Sequence, residues 1–210
     1  MTRLKTEQED FWASNFGDDY IERNQSDQLL ASNLQFFSTV LRSVGSVHSC
    51  LEFGANIGMN LQALSLLFPE SEFSAVEINK TASQELKRRL PKTNVFNVSI
   101  QDFEVTASGH DLVFTKGVLI HINPDALPDV YEKMYKSSNR YVLVAEYYNP
   151  RPVAIPYRGH DNKLFKRDFA GEMLDRFKDL KLLDYGFAYH RDPTFPQDDI
   201  SWFLLEKKMA

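Results

Sequence analysis

Between residues 49 and 68 the chain passes from one apolar stretch, "SCLEF", through "GANIG" to another, "MNLQALSLLF". This junction limits the fold more than any other feature. The first stretch is short and apolar apart from Glu52, as a buried strand is, while the second repeats its apolar residues at helical spacing and stops at Pro69. Between them, Gly54, Asn56 and Gly58 are the residue types that most readily take left-handed backbone. A strand that turns directly into a helix through a permissive loop opens a strand-helix-strand unit.

The same alternation continues along the chain. "EFSAVEI" predicts a second strand, "TASQELKRRL" a helix capped by Thr81, "NVFNVSI" a third strand and "HDLVFTKG" a fourth. Pro124 opens a helix that reaches about Ser138, and "RYVLVAEYY" follows as a fifth strand. Upstream, Leu30, Leu34, Phe37, Leu41 and Val44 recur at steps of four and three, a helix ending at Gly45. After a helix near Lys166 to Phe177, "LKLLDYGFAY" and "DISWFLLEK" are joined only by the turn-rich "HRDPTFPQDD", which favours an antiparallel hairpin. The expected fold is α/β and Rossmann-like: a mostly parallel seven-stranded sheet that closes with an antiparallel hairpin and carries helices on both faces. It reads as one structural domain, with residues 1–45 as a lid and capping segment and 46–210 as the core.

Charge and composition exclude some partners. Acidic residues number 29 against 24 Lys plus Arg, a net charge of −5 with no long basic run, which argues against a nucleic-acid partner. The lone Cys50 lies within an apolar run as a buried structural thiol, and a single thiol forms no internal disulfide, so a reducing cytoplasm is the expected location. The amino terminus does not read as a signal peptide, and no apolar run is long enough to span a bilayer.

The spacing Glu52, Gly54, Asn56, Gly58 resembles the E/D-x-G-x-G-x-G loop by which class I methyltransferases hold S-adenosylmethionine, with Asn56 in place of the middle glycine. The resemblance implies that Glu52 receives the methionine amino group, directly or through water, and that Gly54 and Gly58 let the backbone approach the cofactor. Glu77, at the end of the second strand, is placed to take both ribose hydroxyls. Asp102, after the third, is where such enzymes set an acid and a neighbouring backbone amide, here that of Phe103, against the adenine. Dinucleotide-binding dehydrogenases share the loop and the Glu77 acid, but the closing hairpin favours the methyltransferases.

"FTKGVLIHINPD", "EYYNPRPVAIPYRG", "LFKRDFA" and "FWASNFGDDYIERN" resemble, over nearly the full chain, the methylases associated with pseudaminic acid biosynthesis. This second resemblance implies methylation of a sugar, a sugar nucleotide or a biosynthetic intermediate, and so an anionic small-molecule acceptor. Methyl transfer needs an in-line nucleophile with a free lone pair, so candidate bases belong near the carboxyl ends of strands four and five. His121 and Glu146 rank first as catalytic residues. The alternatives are a hydrogen-bonded structural histidine and a structural ion pair. Lys116 serves the cofactor or orients the substrate, and Tyr147 and Tyr148 lie near the acceptor. Arg158, Arg167 and Arg191 suit an anionic acceptor, or else form surface salt bridges. Phe16, Tyr20 and Arg23 are lid contacts to the cofactor, or part of an ordinary capping segment. "GHDN" and "QDD" carry oxygen and imidazole ligands but sit in turns, so no metal is expected. A cofactor-binding, non-catalytic partner in glycan assembly is the remaining alternative.

Overall fold

The computed structural model describes residues 5–14, 16–18 and 25–208. In chain order the elements are α1 (Glu7–Ala13), α2 (Asp27–Val40), β1 (Ser49–Phe53), α3 (Met59–Leu67), β2 (Glu72–Val76), α4 (Lys80–Arg89), β3 (Asn94–Phe96) and β4 (His110–Lys116). Then follow two short 3-10 turns (Leu119–His121 and Pro124–Ala126), α5 (Leu127–Ser137), β5 (Ser138–Glu146), β6 (Val153–Tyr157), β7 (His160–Lys166), α6 (Phe169–Arg176), β8 (Leu180–Ala188) and β9 (Ile200–Lys207). The strands lie in the order β3-β2-β1-β4-β5-β9-β8. The first five are parallel and β9 is antiparallel to both neighbours. The seven-stranded, mostly parallel sheet closing with an antiparallel hairpin is therefore the observed architecture.

Period-two alternation divides the sheet between two apolar layers. Cys50, Leu112, Phe114, Leu143, Trp202 and Leu204 pack with α2 and α3, whereas Leu51, Phe53, Val113, Val142, Val144 and Leu205 pack with α5 and α6. Cys50 is fully buried, and burial pushes its thiol far above the ordinary range, so it stays an unreactive core group.

Local chemistry moved four boundaries from their sequence-based positions. The α4 cap is Asn79, not Thr81: its Oδ1 accepts the Ala82 amide at 2.9 Å and starts the helix earlier. Helix α2 stops at Val40, although Leu41 and Val44 still pack against the core. Strand β3 ends at Phe96 because the Asn97 side chain takes over, donating to the carbonyls of Glu77 and Ile78. Lys166 belongs to β7, and the helix beyond it begins at Phe169 with Asp168 as its cap. The β6-β7 hairpin left little signal, since Pro156 interrupts β6 and the first half of β7, His160 to Lys163, is polar throughout. Its turn holds Arg158 and Gly159 at φ of 49° and 83°.

Candidate binding cavity at the carboxyl edge of the sheet

The parallel strands end along one edge, and a cavity of about 460 Å³ opens there between the loops after β1, β2, β3 and β4. Gly54, Asn56 and Gly58 all have positive φ (75°, 49° and 83°), so the loop winds tightly from β1 into α3. A Cβ on Gly54 would stand 2.6 Å from a Val118 methyl as well as in strained backbone. We expect Gly54→Ala to cost about 2 kcal/mol and lower Tm by roughly 4–8 °C in thermal denaturation. An unchanged Tm would contradict this packing.

Glu77 ties this loop to the next one. One carboxylate oxygen accepts the Asn56 amide at 2.7 Å and the other the Asn79 amide at 2.7 Å. A carboxylate has about four acceptor sites, so lone pairs remain for a ligand on the cavity side. Burial pushes the Glu77 carboxyl above its ordinary pKa, while the amides of Asn79, Asn56 and Ile78 pull it back.

A polar network lies under the other end of the cavity. Asn60 Nδ2 donates to Glu52 Oε1 at 2.6 Å, and Lys116 Nζ and Gln197 Nε2 both donate to Asn33 Oδ1, at 3.3 and 3.1 Å. Glu52 Oε2 is buried and has no hydrogen-bond partner among the described residues. Burial pushes the Glu52 carboxyl up to about 8, opposed by Asn60 and the Lys116 charge, and pushes Lys116 down to about 8. A carboxyl whose folded pKa exceeds its unfolded value of about 4.5 contributes stability below pH 4.5 that is lost as pH rises through 8. Glu52→Gln should therefore raise Tm more at pH 8 than at pH 5. An equal change at both values would contradict the burial of an uncompensated carboxyl.

Helix α1 forms the roof. Its Thr6 and Glu9 make a reciprocal capping box, and Glu9 also accepts a short hydrogen bond from Ser99. Gln8 donates to the Asn162 carbonyl at 2.9 Å and accepts from Asn123 at 3.2 Å, and Lys5 pairs with Asp102 at 2.6 Å. The roof is thus fastened to the loop after β3, to the turn after β4 and to the β6-β7 hairpin. Beneath it, the His121 ring lies 4.6 Å from Trp12 and 5.0 Å from Tyr157. Its Nδ1 is 2.6 Å from the Lys163 carbonyl, an acceptor only, which places the proton on Nδ1 and leaves the Nε2 lone pair without a hydrogen-bond partner among the described residues. Burial pushes His121 down to about 4, so the ring is neutral at pH 7.

Of the residues singled out in the sequence, Gly54, Asn56, Glu77, Lys116 and His121 line this cavity. Glu52 and Gly58 lie behind the lining, Glu52 below Asn60. Asp102 and Phe103 do not form the wall after β3; Ser99, Ile100 and Gln101 do. The Phe103 amide is spent on the Ser99 carbonyl at 3.0 Å and its ring packs edge-on against Phe53 and Phe96, while Asp102 faces Lys5. Glu146 does not face the cavity either. Its oxygens accept the amides of Val118, Leu119 and Ile120 at 3.0–3.4 Å, holding the turn that carries His121; burial pushes its pKa up to about 7.

The expected acceptor residues scatter. Tyr147 lines a second cavity of about 410 Å³ with Lys166, His190, Asp198 and Asp199, and His190 and Asp198 also line the first. Tyr148 points outward against Phe203. Arg158 is exposed in the β6-β7 turn, Arg167 pairs with Glu172 at 2.6 Å, and Arg191 is exposed beside His190. None of these three arginines lines either cavity. Phe16 packs on Phe11 at 4.1 Å, outside the lining, and Tyr20 and Arg23 lie outside the described residues. Among the described residues, no three His, Cys, Asp or Glu side chains gather as a metal site, and no helix is long and apolar enough to cross a membrane.

Sequence reasoning missed Asn33, Asn60, Gln197, Asp198 and His190. Asn33 left a signal, a polar residue on the apolar stripe of α2 beside Leu30, Leu34 and Phe37. Gln197, Asp198 and His190 reach the cavity only through the closure of the β8-β9 loop.

No family model matches the chain, and no curated protein matches it either. Solved structures do. The magnesium protoporphyrin IX methyltransferase of Synechocystis PCC 6803, with bound S-adenosylhomocysteine, superimposes with a TM-score of 0.71 at 10% identity over 95% of this chain and 98% of that one. The 1,6-didemethyltoxoflavin-N1-methyltransferase of Burkholderia thailandensis, with its substrate and S-adenosylhomocysteine bound, gives 0.71 at 14% identity over 100% and 93%. A SAM-dependent methyltransferase from Leishmania major gives 0.70 at 15% identity over 98% and 87%. At such identities the likeness is one of fold, the Rossmann-like fold of class I methyltransferases.

Proposed function

We propose that this chain is an S-adenosylmethionine-dependent methyltransferase acting on a small molecule. The observation that carries the reading is Glu77, a buried carboxylate that fastens the Gly54–Gly58 loop and still faces the cavity at the end of β2. The cavity suits the cofactor along its length. Ser99, Ile100 and Gln101 would border the adenine, and Glu77 would take the ribose hydroxyls. Gly54 to Asn56 would pass close to the amino-acid end, where Lys116, Asn33 and Asn60 offer a cation and amide groups. The orphan oxygen of Glu52 is an unused acceptor behind Asn60, on the side where an α-ammonium would lie. The fold neighbours crystallised with S-adenosylmethionine or S-adenosylhomocysteine add support from outside the chain.

When bound, the cofactor supplies a methyl group on a sulfonium, already a good leaving group. The chain's own part is to hold the acceptor, exclude water and receive a proton. Helix α1 excludes solvent as a lid over the cavity. His121 receives the proton through Nε2. The Lys163 carbonyl fixes its tautomer, and Trp12 and Tyr157 hold its ring. Its low basicity is no obstacle, because an acceptor becomes strongly acidic once its lone pair begins to bind carbon. Glu146 positions His121 through the turn amides, and Lys116 orients the amino-acid end of the cofactor or an acceptor beside it.

A sugar or sugar nucleotide of nonulosonic acid biosynthesis is the finer reading, and its support is the sequence resemblance alone. Mass spectrometry after incubation with S-adenosylmethionine tests both levels, using pseudaminic acid, its cytidine-activated form, amino-sugar precursors and small aromatic alcohols and amines. A gain of one methyl on any member supports the activity, and the member that gains it decides the class. Cofactor binding without transfer to any member would count against the small-molecule acceptors named here.

A further inference from the structure

We infer that the acceptor carries a flat, unsaturated ring system, uncharged or cationic, which lies on an exposed aromatic band beside the second cavity; this rests on the methyltransferase reading and stands against the sugar acceptor that the sequence resemblance alone supports. The band belongs to the β8 edge of the sheet. Tyr185 pairs with Phe203 and Phe187 with Ser201 across the β8-β9 ladder, and Phe203 pairs with Val144 of β5, so these side chains share the face that α5 and α6 cover elsewhere. Helix α6 reaches only the amino end of β8, near Leu180. Beyond it Tyr185 is 66% exposed, Phe187 59%, Tyr189 46% and Tyr148 42%. Tyr148 lies 5.9 Å from the Phe203 ring and Phe187 6.1 Å from Tyr189.

Topology places this band at the site. Strand β9 is antiparallel to both β5 and β8, so β8 runs parallel to β5 and its carboxyl end lies at the cavity edge. Tyr189 directly precedes His190, which lines both cavities, and Tyr148 directly follows Tyr147, which lines the second. The band therefore ends next in sequence to residues that line the cavities, with His190 and Asp198 common to both linings.

Area and charge choose the occupant. An aromatic side chain buries 150–250 Å² when covered fully, so four partly exposed rings offer on the order of 500 Å², less than the roughly 800 Å² per partner of a stable protein interface. A ring system of a few fused or linked planes matches that area. The second cavity carries Asp198 and Asp199 against Lys166; Asp199 accepts from His190 at 2.8 Å, Lys166 lies over the Tyr147 ring, and the Asp198 carboxylate makes no hydrogen bond or ion pair among the described residues. A diphosphate or sugar acid would meet this carboxylate with no arginine lining the second cavity.

The probe is 7-hydroxy-4-methylcoumarin, a fluorescent planar phenol, titrated into the full chain with saturating S-adenosylhomocysteine. Saturable binding is expected, weakened at least tenfold in the double variant Tyr185→Ser/Phe187→Ser, with cytidine monophosphate failing to compete. Equal affinity in the variant, no saturable binding to the unsubstituted chain, or effective competition by the nucleotide would overturn the inference. So would sedimentation of the unsubstituted chain as a dimer and the variant as a monomer, since the band would then join two copies. Calorimetry with S-adenosylhomocysteine on the same proteins separates the two readings. Cofactor binding retained with coumarin binding unaltered defeats the acceptor inference alone, while no cofactor binding by either protein defeats the methyltransferase reading.

Discussion

Replacing Glu77 by alanine is expected to weaken binding of S-adenosylhomocysteine at least a hundredfold, the largest effect of any single substitution in the cavity. Two losses combine. The carboxylate is the proposed acceptor for the ribose hydroxyls, and hydrogen bonds to a charged group contribute about 1.5–3 kcal/mol each. It also holds the amides of Asn56 and Asn79 from two different loops, so its removal leaves a half-buried and a buried donor unpaired and frees the glycine loop to move. A hundredfold change corresponds to about 2.7 kcal/mol, which the ribose contacts alone can supply. Each unpaired amide costs a further ~1–3 kcal/mol of folding stability, so Glu77→Ala should also melt earlier. Glu77→Gln separates the effects, because it keeps the side chain's volume and one acceptor oxygen. Its Tm should lie between those of the other two proteins and its affinity closer to that of alanine. Titration calorimetry on folded protein decides the matter, and an unchanged constant in either variant would remove Glu77 from the cofactor site.

The second large effect is on turnover. His121→Asn keeps a side-chain donor for the Lys163 carbonyl and removes the Nε2 lone pair of a residue that lines the cavity. We expect kcat to fall about a hundredfold, in the range for loss of a general base, with cofactor affinity changed by less than threefold. The pH dependence distinguishes a base from a merely structural ring. In the unsubstituted chain kcat/KM should fall on the acid side as His121 protonates toward its depressed pKa of about 4, and this limb should vanish in the variant. The same shift has a stability consequence of fixed sign. The folded state binds the His121 proton less readily than the unfolded chain, whose ordinary value is 6.5. Its contribution is therefore full above pH 6.5 and declines by roughly 3 kcal/mol as pH falls to 4. A variant with kcat within threefold of the original would leave His121 a structural residue.

The parts of this architecture that the sequence disclosed are those whose periodicity and turn chemistry are local. "SCLEF", "EFSAV" and "YVLVAE" are mostly apolar runs, and the left-handed turn at Gly54, Asn56 and Gly58 is written in the spacing of those residue types. Position on the rim was harder. Asp102 sits one residue too far along its turn to face the cavity, and Glu52 is one layer too deep, because strand-end side chains change direction with each residue. Glu146 shows another limit: a carboxylate at a strand end serves backbone amides as readily as a ligand, and three amides of the following turn claim this one. The arginines illustrate the same limit. Arg167 is committed to Glu172, and Arg158 serves a turn in a hairpin that sequence pattern did not reveal. Residues from distant segments, among them Asn33, Asn60 and Gln197, meet only because the chain folds.

The measurement that bears most directly on the central claim is titration calorimetry of the unsubstituted chain with S-adenosylhomocysteine, run beside a nicotinamide dinucleotide. One saturable site is expected for S-adenosylhomocysteine, weakened at least a hundredfold by Glu77→Ala, and no heat above dilution for the dinucleotide. Binding of the dinucleotide with none of S-adenosylhomocysteine would contradict it, and would assign the Gly54–Gly58 loop and Glu77 to a different adenosine cofactor.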